Sequence, residues 1–282
     1  MSKIIDGRSL AKEIHRELED RTTLLKEKYG VAPGIAVILV GDDDASKVYA
    51  RNILKKAKKC GYNTIEGFLD TDTSEEELME VIKSLNVDDE IDGIIIQMPL
   101  PKHIDETKII NVLSPKKDID GVTAQNTGLF YSGQNAFIPC TPKSAMALLK
   151  STKIDIAGKD AVVIGRSNIV GRPVAELLNR ENATVTICHS RTQGLKEHLK
   201  RADIIVSAVG RPKLVKEDMI SNGAVIIDVG TNVVEGKLVG DVDYEGCFEK
   251  TEGITPVPGG VGPVTIMMLL ENTMEAFVNK WD

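Results

Sequence analysis

Seven short apolar runs recur along the chain, and the stretches between them carry apolar residues at helical spacing. The runs are residues 34–40 (GIAVILV), 62–68, 94–96, 161–164, 184–188, 203–207 and 224–229. Most of them, 34–40 above all, are continuous rather than alternating, the pattern of strands covered on both faces, and that is the environment of a parallel sheet layered with helices. Helices are expected near 7–29, where Leu10, Ile14, Leu18 and Leu25 fall on one face, and near 45–59. Another should open at the capping box Ser74-Glu75-Glu76-Glu77. More helices are expected at 103–113, 170–181 and 194–201, with a last one ending at Trp281. The chain is therefore read as an α/β protein.

The rhythm breaks once. Residues 114–142 hold Pro115, Gly121, Gly128, Gly133, Pro139 and Pro142, and read as a long loop of the kind that serves a site. With three runs before the break and four after it, 282 residues divide into two α/β domains. The expected division is 1–142 plus 264–282 for the first and 143–263 for the second. A hydrophobic fraction of 42% against 27% charged suffices for two cores. The net charge of −7 argues against nucleic acid as a partner. No apolar run reaches membrane-spanning length, so no membrane partner is expected. The N-terminus lacks a secretory stretch, and Cys60, Cys140, Cys188 and Cys247 form no Cys-x-x-Cys pair, which together suggest the cytoplasm. The four histidines fall into no ligand spacing, so no metal is expected.

The second domain opens on a strand, a tight turn and a helix: Ala161-Val-Val-Ile-Gly165-Arg166-Ser167-Asn-Ile169-Val-Gly171. Gly165 brings backbone close to a phosphate, and a helix beginning near Ile169 aims amide N–H groups and a positive dipole end at it, as in Rossmann-type domains. The spacing is G-x-S-x-x-x-G, short of the dinucleotide fingerprint, and a glycine turn that merely packs helix on strand is the alternative. An NAD site usually places Asp or Glu at the end of the next strand, on the ribose 2′-hydroxyl. Here that strand runs into His189-Ser190-Arg191-Thr192. Ser190 and Arg191, with Arg166, suit a 2′-phosphate instead, which points to NADP. The competing reading makes both arginines solvated surface charges.

With these residues together, the chain resembles the methylenetetrahydrofolate dehydrogenase/methenyltetrahydrofolate cyclohydrolase family. The resemblance runs nearly the whole length. It is carried by Ser46-Lys-Val-Tyr49, Asp92-Gly-Ile-Ile-Ile-Gln97-Met-Pro99-Leu100-Pro101, Lys117-Asp-Ile-Asp120-Gly121, Pro139-Cys-Thr-Pro142, Val163-Ile-Gly-Arg-Ser-Asn-Ile-Val-Gly-Arg-Pro173, and Pro256-Val-Pro258-Gly259-Gly260-Val-Gly262-Pro263. It implies two α/β domains facing each other across a cleft, with the last helix returning to the first. It also implies a homodimer formed through the cofactor domain, tetrahydrofolate derivatives as substrates, and one-carbon metabolism that feeds purine biosynthesis.

The resemblance gives Tyr49, Gln97 and Asp120 catalytic and substrate-binding roles, and each has a physical reason. Tyr49 stacks on the flat folate body unless it is an ordinary core tyrosine. Asp120 accepts paired N–H groups from the pterin edge unless it only forms the turn before Gly121. Gln97 lies at a carboxyl strand end, and its neutral amide orients folate without a fixed charge beside a cationic product. Pro99, Leu100, Pro258, Gly259 and Gly260 are further implied substrate contacts, although a helix-initiating turn explains the glycines too. Thr231 is implied to touch the cofactor through its backbone.

Three positions depart from the family pattern. Its lysine one helical turn after the tyrosine, which serves the hydrolytic step, is Ile53 here. An isoleucine exchanges no proton. Lys56, at i+7 from Tyr49, is the candidate substitute, though solvated helix lysines are commoner. Ser144 stands where glycine is usual, and Val233 where arginine is usual. The expectation is hydride transfer to NADP with cyclohydrolysis in doubt. The alternatives are an NADP-dependent dehydrogenase of another small molecule, of the shikimate-dehydrogenase type, and a catalytically silent cofactor-binding protein.

Overall fold

A computed structural model of the chain describes residues 3–281. The chain forms two compact units, each with its own sheet. The three-stranded unit comprises Glu13–Ile138 with the C-terminal segment from Leu269. Its elements are helix α1 (Gly7–Tyr29), β1 (Gly34–Val40), α2 (Asp44–Lys59), β2 (Asn63–Leu69), α3 (Glu75–Val87), β3 (Gly93–Ile96), α4 (Glu106–Val112) and α5 (Ala124–Tyr131). The sheet is parallel in the order β2-β1-β3. β1 is buried at every residue, which its unbroken GIAVILV sequence requires. The capping box forms as expected, with Ser74 and Glu77 satisfying each other's backbone N–H groups at the start of α3.

The five-stranded unit takes the N-terminal segment through Lys12 and Pro139–Met268. It contains α6 (Cys140–Ser151), β4 (Asp160–Ile164), α7 (Gly171–Arg180), β5 (Thr184–Cys188), α8 (Leu195–Lys200), β6 (Ile204–Ser207), a 3₁₀ turn at Glu217–Met219 and β7 (Val225–Asp228). A small hairpin of β8 (Asn232–Val234) and β9 (Lys237–Val239), then α9 (Tyr244–Phe248) and β10 (Gly253–Ile254), complete it, and α10 (Val261–Trp281) starts here and from Leu269 belongs to the three-stranded unit. The sheet is parallel in the order β10-β7-β6-β4-β5. Counted from β4 as the unit's first strand, this is the doubly wound order 2-1-3-4-5. Its core runs from Val162 and Ile164 through Leu199, Ile205 and Ile226 to Ile254.

Three expectations need adjustment. The stretch 114–142 is not one loop, because α5 occupies its middle and α6 begins at Cys140. Thr123 caps α5 by accepting from Asn126 N, and the Asn126 side chain donates to Pro115 O and to the Asp118 carboxylate. Such polar anchoring leaves no apolar periodicity to read. The helix after Gly165 begins at Gly171 rather than Ile169, because Ser167 Oγ accepts from Val170 N and Gly171 N and forms a turn first. The segment through Lys12 lies with the five-stranded unit: Ile5 N donates to Ile254 O, and Ile254 N to Lys3 O, which adds a bridge along the outer side of β10.

Candidate active site

In parallel sheets ligands bind beyond the carboxyl ends of the strands, where neighbouring strands lead their connections in opposite directions. In the three-stranded unit that point lies between β1 and β3. α2 follows β1 and carries Tyr49, which is half-buried; Asp43 caps this helix by accepting from Ser46 N at 2.8 Å. Gln97 follows β3, and its backbone N donates to Ile38 O of β1 at 2.8 Å. Gln97 is 7% exposed, and its side-chain amide has no partner among the described residues. No side-chain nitrogen or oxygen shut off from solvent lacks a partner among these residues, so the Gln97 amide keeps an opening to solvent. A nearly buried amide aimed outward without a partner is suited to a ligand.

Asp120 reaches the same edge through backbone register. Ile94 of β3 bridges Asp118 in parallel, and its N donates to Lys117 O at 2.8 Å, which brings Asp120 level with Ile96, the residue before Gln97. The turn after Asp120 is made by Asp118 instead: its buried carboxylate accepts from Val122 N, Thr123 N and Asn126 Nδ2. Asn272 Nδ2 of α10 donates to Ile119 O at 2.8 Å and fixes the residue before Asp120. Pro99, exposed and preceded by a cis peptide, and Leu100, buried, follow Gln97 at this edge.

Ile53 is 0% exposed, on the face of α2 buried with Ala50, Leu54 and Ala57. Lys56 stands in the last turn of α2. Its ammonium acts on His15 and Cys60: burial first, and Lys56 second, hold His15 below its ordinary value. Burial pushes the Cys60 thiol up to about 12. Lys56 thus works at the far end of the helix from Tyr49.

In the five-stranded unit the reversal point lies between β4 and β6. Gly165, at φ +120°, ends β4 there, and a Cβ on it would sit 2.4 Å from Ala208 O of the loop after β6. A Cβ on Gly171 would sit 2.3 Å from Gly165 O, so both glycines are required by backbone-to-backbone approach. Between them the amide N–H groups of Arg166, Ser167, Asn168 and Ile169 find no acceptor among the described residues. Such a row of amides at the start of a helix is an anion cradle. Gly165 N donates to Cys188 O at 2.8 Å, so the turn lies beside the end of β5. Arg166, Ser190 and Arg191 are all exposed on these adjacent connections, and neither guanidinium has an ion pair among the described residues. Thr231 is exposed after the end of β7.

Gly259 (φ +117°) and Gly260 are buried against the start of α1, where a Cβ on Gly7 would sit 1.8 Å from Gly260 O; Pro258 is exposed and Gly262 faces open space. Ser144 is fully buried with its hydroxyl bonded to Cys140 O at 2.7 Å, which accommodates it without glycine. Val233 lies 72% exposed on the β8–β9 hairpin. Sequence reasoning gave no role to Asp118, Asp228 and Asp241, buried carboxylates that accept from loop amides; an Asp within two residues of a glycine, as in Asp228-Val-Gly230 and Gly240-Asp241, was the available signal.

Two family profiles match, the tetrahydrofolate dehydrogenase/cyclohydrolase catalytic domain over residues 5–120 and its NAD(P)-binding domain over residues 139–281. The bifunctional protein FolD of Campylobacter hominis is 52% identical over 279 residues, 99% of this chain and 98% of that one. The solved FolD methylenetetrahydrofolate dehydrogenase/cyclohydrolase of Campylobacter jejuni superposes with a TM-score of 0.96 at 44% identity, covering 98% of this chain and 99% of the other. The Trypanosoma brucei N5,N10-methylenetetrahydrofolate dehydrogenase-cyclohydrolase, complexed with NADP and an inhibitor, gives 0.95 at 39% identity, covering 99% and 98%.

Proposed function

The chain belongs to the tetrahydrofolate dehydrogenase/cyclohydrolase family, and on that premise we propose that it oxidises 5,10-methylenetetrahydrofolate to the 5,10-methenyl form with NADP+. The single observation that carries the site assignment is the outward-facing, unpartnered amide of nearly buried Gln97 at the β1/β3 edge. Gly165 and Gly171 leave a cradle that any Cβ would fill, and the amides of residues 166–169 fit a pyrophosphate. When bound, NADP+ supplies a hydride acceptor at nicotinamide C4. Arg166, Ser190 and Arg191 hold the 2′-phosphate by charge-assisted bonds, and Thr231 contributes backbone contacts. Neither a shikimate-type substrate nor a silent binding role is favoured.

The protein's task in this step is positioning more than proton transfer. As the C–H bond of the substrate methylene breaks, its electron pair leaves as hydride and the adjacent nitrogen lone pair delocalises onto carbon. Tyr49 supports the flat folate body, Asp120 accepts from the pterin N–H edge, and Gln97 orients the reacting end as a neutral group. Pro99, Leu100, Pro258, Gly259 and Gly260 are proposed further substrate contacts.

Hydrolysis of the methenyl product is another matter. Water has to lose a proton as it attacks, which calls for a positioned acid–base group. Ile53 supplies none, and Lys56 sits with His15 and Cys60. The proposed activity is therefore dehydrogenation with weak hydrolysis. Assay of NADPH formation from methylenetetrahydrofolate tests the first half, and its absence would sink the reading. A homodimer through the five-stranded unit is also proposed. The outer side of β10 is bridged by the N-terminal segment, whereas β5 forms the opposite edge with Ile187 41% exposed. With a net charge of −7 and no helix of the described residues long and apolar enough to cross a membrane, the enzyme is proposed to act in the cytoplasm, free of membranes and nucleic acid.

A further inference from the structure

Asp241 is fully buried in the five-stranded unit, yet its carboxylate accepts five hydrogen bonds. Oδ1 takes Arg211 N at 2.7 Å and Asn232 Nδ2 at 3.1 Å. Oδ2 takes Val209 N at 2.8 Å, Ser207 Oγ at 3.1 Å and Gly210 N at 3.3 Å. One side chain from the β9–α9 connection therefore holds the end of β6, residues 209–211 of the loop after it and the first residue of β8. Asp228, at the end of β7, completes the arrangement: it accepts from Gly230 N and Asp241 N, each at 3.0 Å, and from Val242 N at 2.9 Å.

The two acids are locked by each other's glycines. A Cβ on Gly230 would stand 2.2 Å from the Asp241 carboxyl carbon, and one on Gly240 would stand 1.9 Å from Asp228 Oδ2. Buried charges are poor sources of stability, because well-packed apolar groups of equal volume commonly do as well. What a carboxylate offers is geometry, in this case four backbone or side-chain N–H donors and one hydroxyl converging on two oxygens. The loop so held forms the β6 side of the β4/β6 reversal point, and its Ala208 O is the atom against which Gly165 packs. Asp228 does the same for Gly230, the residue before Thr231.

We infer that Asp241 and Asp228 are positioning residues for the dinucleotide, holding the backbone of residues 208–211 and 230–231 in the shape the cofactor meets. The inference rests on the NADP reading above. Neither acid takes part in the hydride step; both act through the loops.

The test is the dissociation constant for NADP+, measured by isothermal titration on the full chain, beside thermal unfolding of each variant. Asp241→Asn keeps the volume but turns an N–H2 group against N–H donors, and is expected to weaken binding about tenfold or more. Ser207→Ala removes one donor only and should weaken binding less, in the same direction, even if Asp241→Asn fails to fold. Leu199→Ala, in the core of the same unit, should lower the unfolding temperature and leave the affinity unchanged. Hydrogen exchange at the amides of residues 209–211 should quicken in Asp241→Asn and not in Leu199→Ala. Wild-type affinity in a folded Asp241→Asn and in Ser207→Ala would overturn the inference, as would equal weakening by Leu199→Ala. If the unaltered chain itself fails to bind NADP+, the cofactor reading falls and takes the inference with it.

Discussion

In the proposed reading, Ile53 separates the two linked reactions of the family. Fully buried in the face of α2 that packs on β1 and β2, it offers no proton. A lysine there would be desolvated, and desolvation lowers an ammonium pKa toward the range useful to a base. Ile53→Lys is expected to raise hydrolysis of added methenyltetrahydrofolate by about 10²-fold or more, the usual scale of general acid–base help. The decay of methenyl absorbance reads this, and a variant that folds yet hydrolyses no faster would count against it. Arg191 is the second informative residue. Arg191→Ala should weaken NADP+ by about tenfold to a hundredfold, the loss of a charge-assisted bond to a phosphate, and leave NAD+ nearly unchanged. Equal loss for both cofactors in paired titrations would argue that Arg191 is a solvated charge.

At the scale of elements, the strands were legible and the polar clamps were not. β1 stands at the residues that its apolar run marks, because a strand covered on both faces must be apolar throughout. β5 also stands at its expected residues, but not as the buried strand expected there: it is an edge strand with Thr184 and Ile187 exposed. The turn at Gly165 was equally visible, since a glycine between a buried strand and a helix has few uses. α5 escaped notice because Thr123, Asn126 and Asp118 organise it through hydrogen bonds, which leave no periodic trace. Asp241 was hidden for the same reason: its partners at residues 209–211 lie about thirty residues earlier in the chain and are backbone amides of no particular sequence. Of the candidate site, Gln97 and Asp120 share one strand edge, while Lys56 lies at the other end of its helix. Gly165→Ala tests the turn: with a Cβ 2.4 Å from Ala208 O at φ +120°, strain of about 1–3 kcal/mol is expected. The denaturant midpoint should fall accordingly, and an unchanged midpoint would mean that the close approach is relieved elsewhere.

Across the whole molecule, stability and pH are tied through Asp228. Burial, with a smaller push from the Asp241 carboxylate, raises it to about 7 against three N–H donors that pull it down. A carboxyl with a raised folded pKa binds its proton more tightly folded than unfolded, so stability is lost as pH rises from about 4 to about 7 and then levels off. At about 1.36 kcal/mol per pH unit the full effect is on the order of 4 kcal/mol. Asp228→Asn removes this slope, so its deficit relative to the unaltered protein should shrink between pH 4 and 7.5 in denaturant titrations; a constant deficit would mean that Asp228 is ionised throughout. Assembly belongs to this scale too. Ile187→Glu on the edge strand β5 should shift a dimer toward monomer in light scattering, and an undisturbed dimer would place the interface elsewhere. The central claim is that the chain carries out hydride transfer without matching hydrolysis. It is tested most directly by supplying methylenetetrahydrofolate and NADP+ and following NADPH and methenyl absorbance together. The account predicts that both rise in step and that the methenyl signal then decays no faster than without enzyme. Methenyl that decays with enzyme concentration, or NADPH that never forms, would contradict it.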